Sequence, residues 1–290
     1  MPSSVELRAG DARASIATLG AEARAWSVGG IDLLWPGDPA IWDQISPILF
    51  PVVGWTRDGV RVAGKRYPLG LHGFASTLAF AVAGQGADFV RMEAGDDDAT
   101  RALYPFAFRL ALDCRLAPKA LHVAIEVTNA GEEIMPYSCG LHPGFRWPFA
   151  RGERAGAFVQ FEKPESADVP VIAPGGLFSP QRRRVPLQEG VRLPIDDAFF
   201  AREAACFLHL NSRSLSFGQA NGAAIALDFP GFPHAALWSK PGAPFLCLEA
   251  WTGYGDPVDF DGELLQKPSM RALEPGAKAR HEAAFRYLAP

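Results

Sequence analysis

A histidine and a glutamate stand out because each interrupts an apolar, strand-like stretch of the chain. His142 precedes Pro143 and Gly144, and Glu249 follows the apolar run 245–248. A carboxyl group in such surroundings loses hydration, which raises its pKa from about 4.3 toward neutrality. A histidine titrates near about 6.5 without any help from its surroundings. If the fold brings the two together, they can take a proton at one point of a substrate and supply one at another.

Three further polar or aromatic positions are candidates for binding. Arg57 follows an apolar strand in a turn and is a fixed cation for a hydroxyl or carboxylate, although beside Asp58 it also fits a plain surface turn. His72 precedes a glycine that allows close backbone approach, but a lone histidine is usually structural. Trp251, if exposed, would offer a sugar a broad apolar face with one hydrogen-bond donor. The structural alternative for Glu249 is a salt bridge to an arginine.

Other catalytic templates do not fit the sequence. The Gly-x-Ser-x-Gly elbow of serine hydrolases is absent, and no glycine-rich dinucleotide or phosphate loop follows a strand. His72, His142 and His209 could join Glu249 around a metal, but no His-x-His or His-x-x-x-His spacing supports this. We therefore expect no metal site.

Composition limits the partners of the chain. It has 290 residues and a formal net charge of −4, and its only run of three basic residues is 182–184. We take that run as a solvated loop and expect no binding to nucleic acid. The N-terminus lacks the pattern of a signal peptide, and apolar segments such as 45–53 are too short to cross a bilayer. A cytoplasmic protein is expected, with four scattered, reduced and buried cysteines.

Alternation of apolar and polar residues predicts strands. Residues 108–116 and 121–127 each alternate with period two on either side of a short connection, which predicts an antiparallel hairpin. Shorter alternating runs predict further strands at 5–7, 13–18, 23–28, 89–93, 157–161, 204–210, 223–229, 235–238 and 278–288.

Helices are nearly absent from this pattern. Only 100–103 and 39–44 have the features of a helical turn, and 164–190 resembles long loops over one face. We expect residues 1–290 to form one all-β domain, a large antiparallel sandwich of about fifteen to twenty strands.

Three segments together resemble the aldose 1-epimerase family, particularly a short bacterial branch related to LacX. In chain order they are His-Gly-Phe-Ala (72–75), Leu-His-Pro-Gly-Phe (141–145) and Cys-Leu-Glu-Ala-Trp-Thr-Gly (247–253). The resemblance extends from about Trp35 to the C-terminus. It implies a galactose-mutarotase-like supersandwich that interconverts the α and β anomers of a free aldose without a cofactor.

The resemblance also implies roles for single residues. Glu249 corresponds to the general base and His142 to the general acid, while His72 corresponds to a histidine that binds substrate near its ring oxygen. Arg57 falls close to a substrate-binding arginine. Glu203 falls where relatives often carry an aspartate for sugar hydroxyls.

Three positions depart from the family pattern: Ala250 replaces a common proline, Ser76 an arginine, and Trp55 the arginine of a Gly-Arg pair. They leave the acid–base pair intact but put the choice of substrate in doubt. Two other functions remain open, a sugar-binding protein without turnover and a glycosidase that pairs Glu249 with Glu203. The sequence does not specify the sugar or the oligomeric state.

Overall fold

The computed structural model describes residues 3–290, and short antiparallel strands dominate it. The first nine strands are β1 (Ser4–Ala9), β2 (Ala12–Ala17), β3 (Ala23–Val28), β4 (Ile31–Asp32), β5 (Ile48–Leu49), β6 (Val60–Val62), β7 (Lys65–Tyr67), β8 (Ala81–Gln85) and β9 (Phe89–Gly95). The next eight are β10 (Phe108–Ala117), β11 (Ala120–Asn129), β12 (Met135–Tyr137), β13 (Gly140–Leu141), β14 (Gly144–Arg146), β15 (Phe158–Phe161), β16 (Asp168–Ile172) and β17 (Phe178–Arg184). The last eight are β18 (Arg192–Pro194), β19 (Ala205–Phe207), β20 (Ser214–Gly218), β21 (Ala224–Asp228), β22 (His234–Trp238), β23 (Phe245–Trp251), β24 (Arg271–Leu273) and β25 (Lys278–Leu288).

Two large sheets form the body of the protein. One has nine strands in the order β18-β15-β20-β21-β25-β11-β10-β9-β8, and the other has six, β19-β22-β23-β13-β5 with β14 also paired to β23. A four-stranded sheet (β1 to β4) and three two-stranded ribbons (β12-β24, β16-β17 and β6-β7) complete the fold. The predicted all-β, antiparallel sandwich of the galactose-mutarotase type is confirmed. The described residues form 25 strands, more than the expected fifteen to twenty, because several strands have only two or three residues and are too short to show alternation.

The predicted hairpin is the centre of the nine-stranded sheet. Strands β10 and β11 pair antiparallel from Phe108–Asn129 down to Ala117–Ala120, so only two residues form the turn. Alternate side chains of both strands, such as Leu112 and Ile125, enter the main core, while polar partners face outward. The period-two pattern therefore set both the register and the buried face.

Strand β23 is buried on both faces, which explains its nearly continuous apolar sequence. Leu246, Leu248 and Ala250 enter the main core. The alternate residues point to the other side of the six-stranded sheet, where Phe245 and Trp251 belong to two separate, smaller apolar clusters. Glu249 shares this outer face because side chains alternate along a strand.

Two local predictions are wrong. The segment 164–190 contains the β16-β17 ribbon, so the three arginines at 182–184 lie on a strand instead of in a loop. The segment 39–44 forms a turn closed by the bridge between Asp38 and Trp42, with no helix.

Helices are short in this chain. The predicted turn at 100–103 is confirmed within α1 (Asp98–Leu103), whose N-terminus is capped by Asp97 and Thr100. The other helical pieces are α2 (Asp197–Phe200) and two 3-10 turns (Ala75–Thr77 and Leu264–Gln266). None of the helices within residues 3–290 has the length and apolarity needed to cross a membrane.

Candidate active site

A cleft of about 350 Å³ opens on the outer face of the six-stranded sheet, between the two smaller apolar clusters. We refer to this cavity as the cleft. Its walls come from β5, β16, β17, β19, β22 and β23 and from loops, including the one that follows β13. The lining residues are Trp42, Gln44, Pro47, Leu49, Gly54, Trp55, Leu71, His72, Ser76, His142, Ile172, Gly176, Phe178, Glu203, Ala204, Cys206, Trp238, Glu249 and Trp251.

Glu249 lies at the floor of the cleft and is only 1% exposed. Burial raises the pKa of its carboxyl group well above the usual range, and a hydrogen bond from Trp251 lowers it in part. The indole Nε1 of Trp251 donates this bond to Oε2 at 3.0 Å. No arginine or lysine forms an ion pair with Glu249 in the described part of the chain, so the structural salt bridge considered above is not found.

His142 follows β13 directly, and its imidazole points at the same carboxylate. Its Nε2 lies 3.2 Å from Oε2 of Glu249. Strand β13 pairs with β23 so that Gly140 faces Trp251, which places the residue after the strand next to Glu249. Burial lowers the pKa of His142 to about 4. The predicted acid–base pair is therefore in contact, although the two residues are 107 positions apart in sequence (249 − 142).

His72 forms the third polar corner of this group. Its ring packs edge-on against that of His142, with the ring centres 5.4 Å apart. The backbone N–H of Gly54 donates to Nδ1 of His72 at 3.1 Å, which leaves the hydrogen of the neutral ring on Nε2. Burial, and secondarily the charge of His142, lower the pKa of His72 well below its usual range. His72 is thus a neutral hydrogen-bond donor beside the pair.

Trp251 lines the cleft but differs from expectation. The ring is 5% exposed, so the prediction of an exposed sugar platform is wrong. The ring is seated against Gly140, where an added Cβ would lie 2.8 Å from Cδ1 of the indole. This close approach requires glycine at position 140 and directs the indole N–H at Glu249.

Arg57 is not brought to the cleft. The turn after Gly54 directs Trp55 into the cleft, and by Arg57 the chain has turned away from it. The backbone N–H of Arg57 donates to Oδ2 of Asp256 at 2.8 Å, and its side chain is exposed beside a different, small cavity. The substrate-binding role expected for Arg57 is therefore not supported by its position.

Glu203 reaches the rim of the cleft, as expected. It is exposed and has a φ of 65°, in the left-handed region. The guanidinium of Arg183 donates to the backbone carbonyls of Glu203 and Ala204 at 3.3 and 3.1 Å. These two bonds fix the bend that presents the carboxylate to the opening.

Sequence reasoning missed two tryptophans that surround His142. Trp42 lies tilted against the imidazole at 5.3 Å and Trp238 meets it edge-on at 5.8 Å, between ring centres. An aromatic face stabilises a cation, so the tilted ring of Trp42 favours the protonated imidazole that burial disfavours. The only signal in the sequence was that residues 26–55 contain an unusual number of tryptophans. Nothing comparable marked Trp238.

A buried ion pair behind the cleft was also missed. Nζ of Lys267 lies 2.8 Å from Oδ1 of Asp256, and both side chains are almost fully buried. The backbone N–H of Asp256 donates to the carbonyl of Trp55, and its carbonyl accepts from Phe178. The ion pair thus anchors two walls of the cleft.

The histidines considered from the sequence as metal ligands do not all lie together. No group of three or more His, Cys, Asp or Glu side chains suited to a metal ion occurs within residues 3–290. His209 lies against His234 and Tyr254 instead of joining His142. The arrangement at the floor of the cleft is one carboxyl group and one imidazole in contact, suited to coupled proton transfer.

Comparison with known proteins agrees with the resemblance of the motifs. A model of the aldose 1-epimerase family matches residues 3–269, which begins well before the Trp35 boundary expected from the motifs. The chromosomally encoded LacX protein of Lactococcus lactis is 30% identical over 257 residues, covering 85% of this chain and 86% of LacX.

Solved structures agree with both sequence matches. A galactose mutarotase related enzyme from Lactobacillus acidophilus aligns with a TM-score of 0.90 at 25% identity, over 99% of this chain and 98% of the other. A galactose mutarotase-like protein from Lactobacillus casei aligns with a TM-score of 0.91 at 25% identity, over 99% and 100% of the two chains. The chain belongs to the aldose 1-epimerase family, in the branch related to LacX.

Proposed function

We propose that the protein is an aldose 1-epimerase that interconverts the α and β anomers of a free aldose in the cleft. The observation that carries this proposal is the contact between Glu249 and His142, 3.2 Å apart at the cleft floor. Family membership supports it. A ring-opening reaction needs one proton removed from the anomeric hydroxyl and one supplied to the ring oxygen, and the pair holds one base and one acid.

The reaction begins with Glu249 ionised and His142 protonated. Glu249 takes the proton of the anomeric hydroxyl while His142 gives a proton to the ring oxygen, and the ring opens to an aldehyde. The bond beside the aldehyde rotates, and the two groups reverse their roles to close the ring on the other face. Each proton transfer contributes typically about 10²–10⁴-fold in rate. No cofactor is needed in this sequence.

The opposed pKa shifts fit this cycle. Burial raises the pKa of Glu249 and lowers that of His142, which widens the range of pH over which the pair holds a single proton. With the proton on His142 the pair is the reactive ion pair, and with the proton on Glu249 it is neutral. Both forms have the same net charge, so the pair becomes reactive without proton exchange with solvent.

His72 and Trp251 support the pair from two sides. The Nε2–H of neutral His72 is a donor for a substrate oxygen near His142, which would restrain the open chain during rotation. Trp251 holds Oε2 of Glu249 through its indole N–H. Glu203 at the rim is placed to accept hydrogen bonds from sugar hydroxyls.

A sugar-binding protein without turnover is the second candidate. The cleft lined by Trp42, Trp55 and Trp238 would serve it equally well, since aromatic faces suit sugar rings. The contact between Glu249 and His142 favours the enzyme, because recognition of hydroxyl groups needs no acid and base in contact, whereas proton transfer at two oxygens does.

The four free, buried cysteines suit a reducing compartment, and we propose a cytoplasmic location.

Polarimetry tests the function. Freshly dissolved α-glucose and α-galactose are mixed with the purified protein, and optical rotation is followed against a buffer blank. We expect the protein to accelerate the decay for at least one aldose of a wider panel. Sugar binding by calorimetry without any acceleration would identify the non-catalytic alternative.

A further inference from the structure

The cleft carries no positive side chain other than its histidines. Among residues 3–290, neither lysine nor arginine contributes to its lining. Its two acids are Glu249, which shares a proton with His142, and Glu203 at the rim. Because the Glu249–His142 pair is neutral overall, Glu203 is the one lining side chain with a net charge in the described part of the chain, while the guanidinium of Arg183 lies outside the lining, against the backbone of Glu203.

The basic side chains around the cleft have other contacts. Arg183 donates to the carbonyls of Glu203 and Ala204, and its guanidinium lies over the ring of Phe199. Lys240 donates to the carbonyl of Ile41. Arg202, next to Glu203 in sequence, is exposed and outside the lining.

Neither of the remaining candidate cations faces the cleft. Lys267 is buried in its ion pair with Asp256, and Arg57 lies beside another cavity. Ser76, which lines the cleft, holds no charge where the family pattern has an arginine. An anionic substituent on a bound sugar would therefore find no partner of opposite charge inside the cleft.

The carboxylate of Glu203 adds a negative charge to a cleft that lacks lysine and arginine, which favours positively charged ligands over negatively charged ones. Its carboxylate forms no ion pair within residues 3–290, and the guanidinium of Arg183 is bonded to the backbone carbonyls of Glu203 and Ala204 instead. A second anion nearby is repelled and loses hydration without compensation, whereas a cation is attracted. Such unfavourable pairings are how sites discriminate between ligands of similar shape.

We propose that the cleft selects aldoses by charge: it accepts neutral and protonated amino aldoses and discriminates against uronic acids and sugar phosphates. The proposal rests on the proposed function, since it concerns the same cleft. Glu203 is the residue that sets the preference, and the tryptophan-lined walls accept the sugar ring whatever its charge.

The test uses sugars of matched size that differ in charge. Glucose, glucuronate and glucosamine, and the corresponding galactose series, are compared at a pH where the amine is protonated; glucose 6-phosphate adds a bulkier anion. Binding is measured by calorimetry and anomer exchange by polarimetry. We expect the uronates and the phosphate to be at least roughly tenfold poorer than the neutral sugar, and the amino sugars to be at least as good. Added salt should reduce the difference between the anionic and the neutral sugars, because Glu203 is exposed and its charge is screened.

Variants assign the preference to single residues. Glu203→Gln should reduce the ratio between amino sugar and uronate, and Ser76→Arg should improve the uronates and the phosphate. Glu189→Gln is the matched control, because Glu189 is also exposed with a positive φ of 49° but lies outside the cleft. Circular dichroism confirms that each variant is folded.

The two readouts separate the proposals. Charge-selective binding without anomer exchange would support the preference and overturn the enzymatic function. Exchange that is as fast for the uronates as for neutral sugars would support the enzyme and overturn the preference. Failure of every sugar to bind would overturn both, and an unchanged ratio in Glu203→Gln would remove Glu203 from the explanation.

Discussion

Nε2 of His142 lies 3.2 Å from Oε2 of Glu249, on the face of β23 that points away from the main core. Strand pairing produces this contact. Gly140 and Leu141 pair with Trp251 and Ala250, so the residue that follows β13 arrives opposite Glu249. Because the contact is built on paired strands instead of mobile loops, the acid and the base are held in position before substrate binds.

The pH dependence of activity should report the two titrations of the pair. Below about pH 4, His142 and Glu249 are both protonated, so no base remains. On the alkaline side the pair loses its one proton, and this limb lies above the ordinary carboxyl range because burial raises the pKa of Glu249. We expect kcat/KM, corrected for the buffer blank, to be flat between these two limbs. A steep fall between pH 6.5 and 5 would contradict the lowered pKa of His142.

Trp251→Phe should change the titration of Glu249 without emptying the space of the ring. The variant removes the indole donor that stabilises the carboxylate, so the pKa of Glu249 rises further. We expect the alkaline limb of kcat/KM to move up in pH and kcat to fall by roughly tenfold, the usual effect of a hydrogen bond to a charged group. Trp55→Phe is the matched control, since Trp55 lines the cleft without contacting the carboxylate. An alkaline limb that moves equally in both variants would argue against the proposed role of Trp251.

Gly73→Ala should destabilise the loop that carries His72. Gly73 has a φ of +71°, and an added Cβ would lie 2.3 Å from the carbonyl oxygen of Phe50. We expect the free energy of unfolding in urea to fall by about 1–3 kcal/mol, the range for strained backbone. Gly70→Ala in the same loop has open space and no positive φ, so it should change stability by no more than about 0.5 kcal/mol. Equal stabilities of the two variants would disprove the strain.

Lys267→Met should be among the more damaging substitutions outside the cleft. It leaves the carboxylate of Asp256 buried without its cation, which typically costs about 3–5 kcal/mol. The same change loosens the turn that carries Trp55, so KM should rise together with the loss of stability. Lys278→Met, at an exposed site with a 3.9 Å contact to Glu126, should cost at most about 1 kcal/mol. Urea denaturation measures the free energy of unfolding of both variants. Similar decreases would mean that the buried ion pair stabilises the protein no more than the exposed one.

The sequence predicted those parts of the fold that are governed by strong alternation. Strands β3 and β25 match their predicted bounds, and the predicted β10-β11 hairpin is present with its short connection. Very short strands such as β5 and β13, with two residues each, have too few residues to show a period. They are stabilised by their neighbours in the sheet, which a local pattern does not reveal. The extent of the single domain over 1–290 stays a prediction.

The site was predictable only in part for a related reason. Glu249 and His142 stand out because they are polar residues in apolar strands, and His72 and Glu203 were placed by the family pattern. The expectation that Trp251 is exposed was wrong, because the burial of its ring depends on Gly140, in a strand more than a hundred residues away. Arg57 was misplaced because the turn direction after Gly54 is set by contacts with Asp256, far along the chain.

The acceleration of anomer exchange by wild-type protein, compared with Glu249→Gln and His142→Asn, tests the central claim most directly. Both substitutions remove a titrating group while nearly preserving its shape, so the variants should remain folded and bind sugar. We expect each to lower kcat by about 10²–10⁴-fold, as measured by polarimetry on the aldose that the wild type turns over best. Near wild-type rates in either folded variant would contradict the assignment of Glu249 as base and His142 as acid.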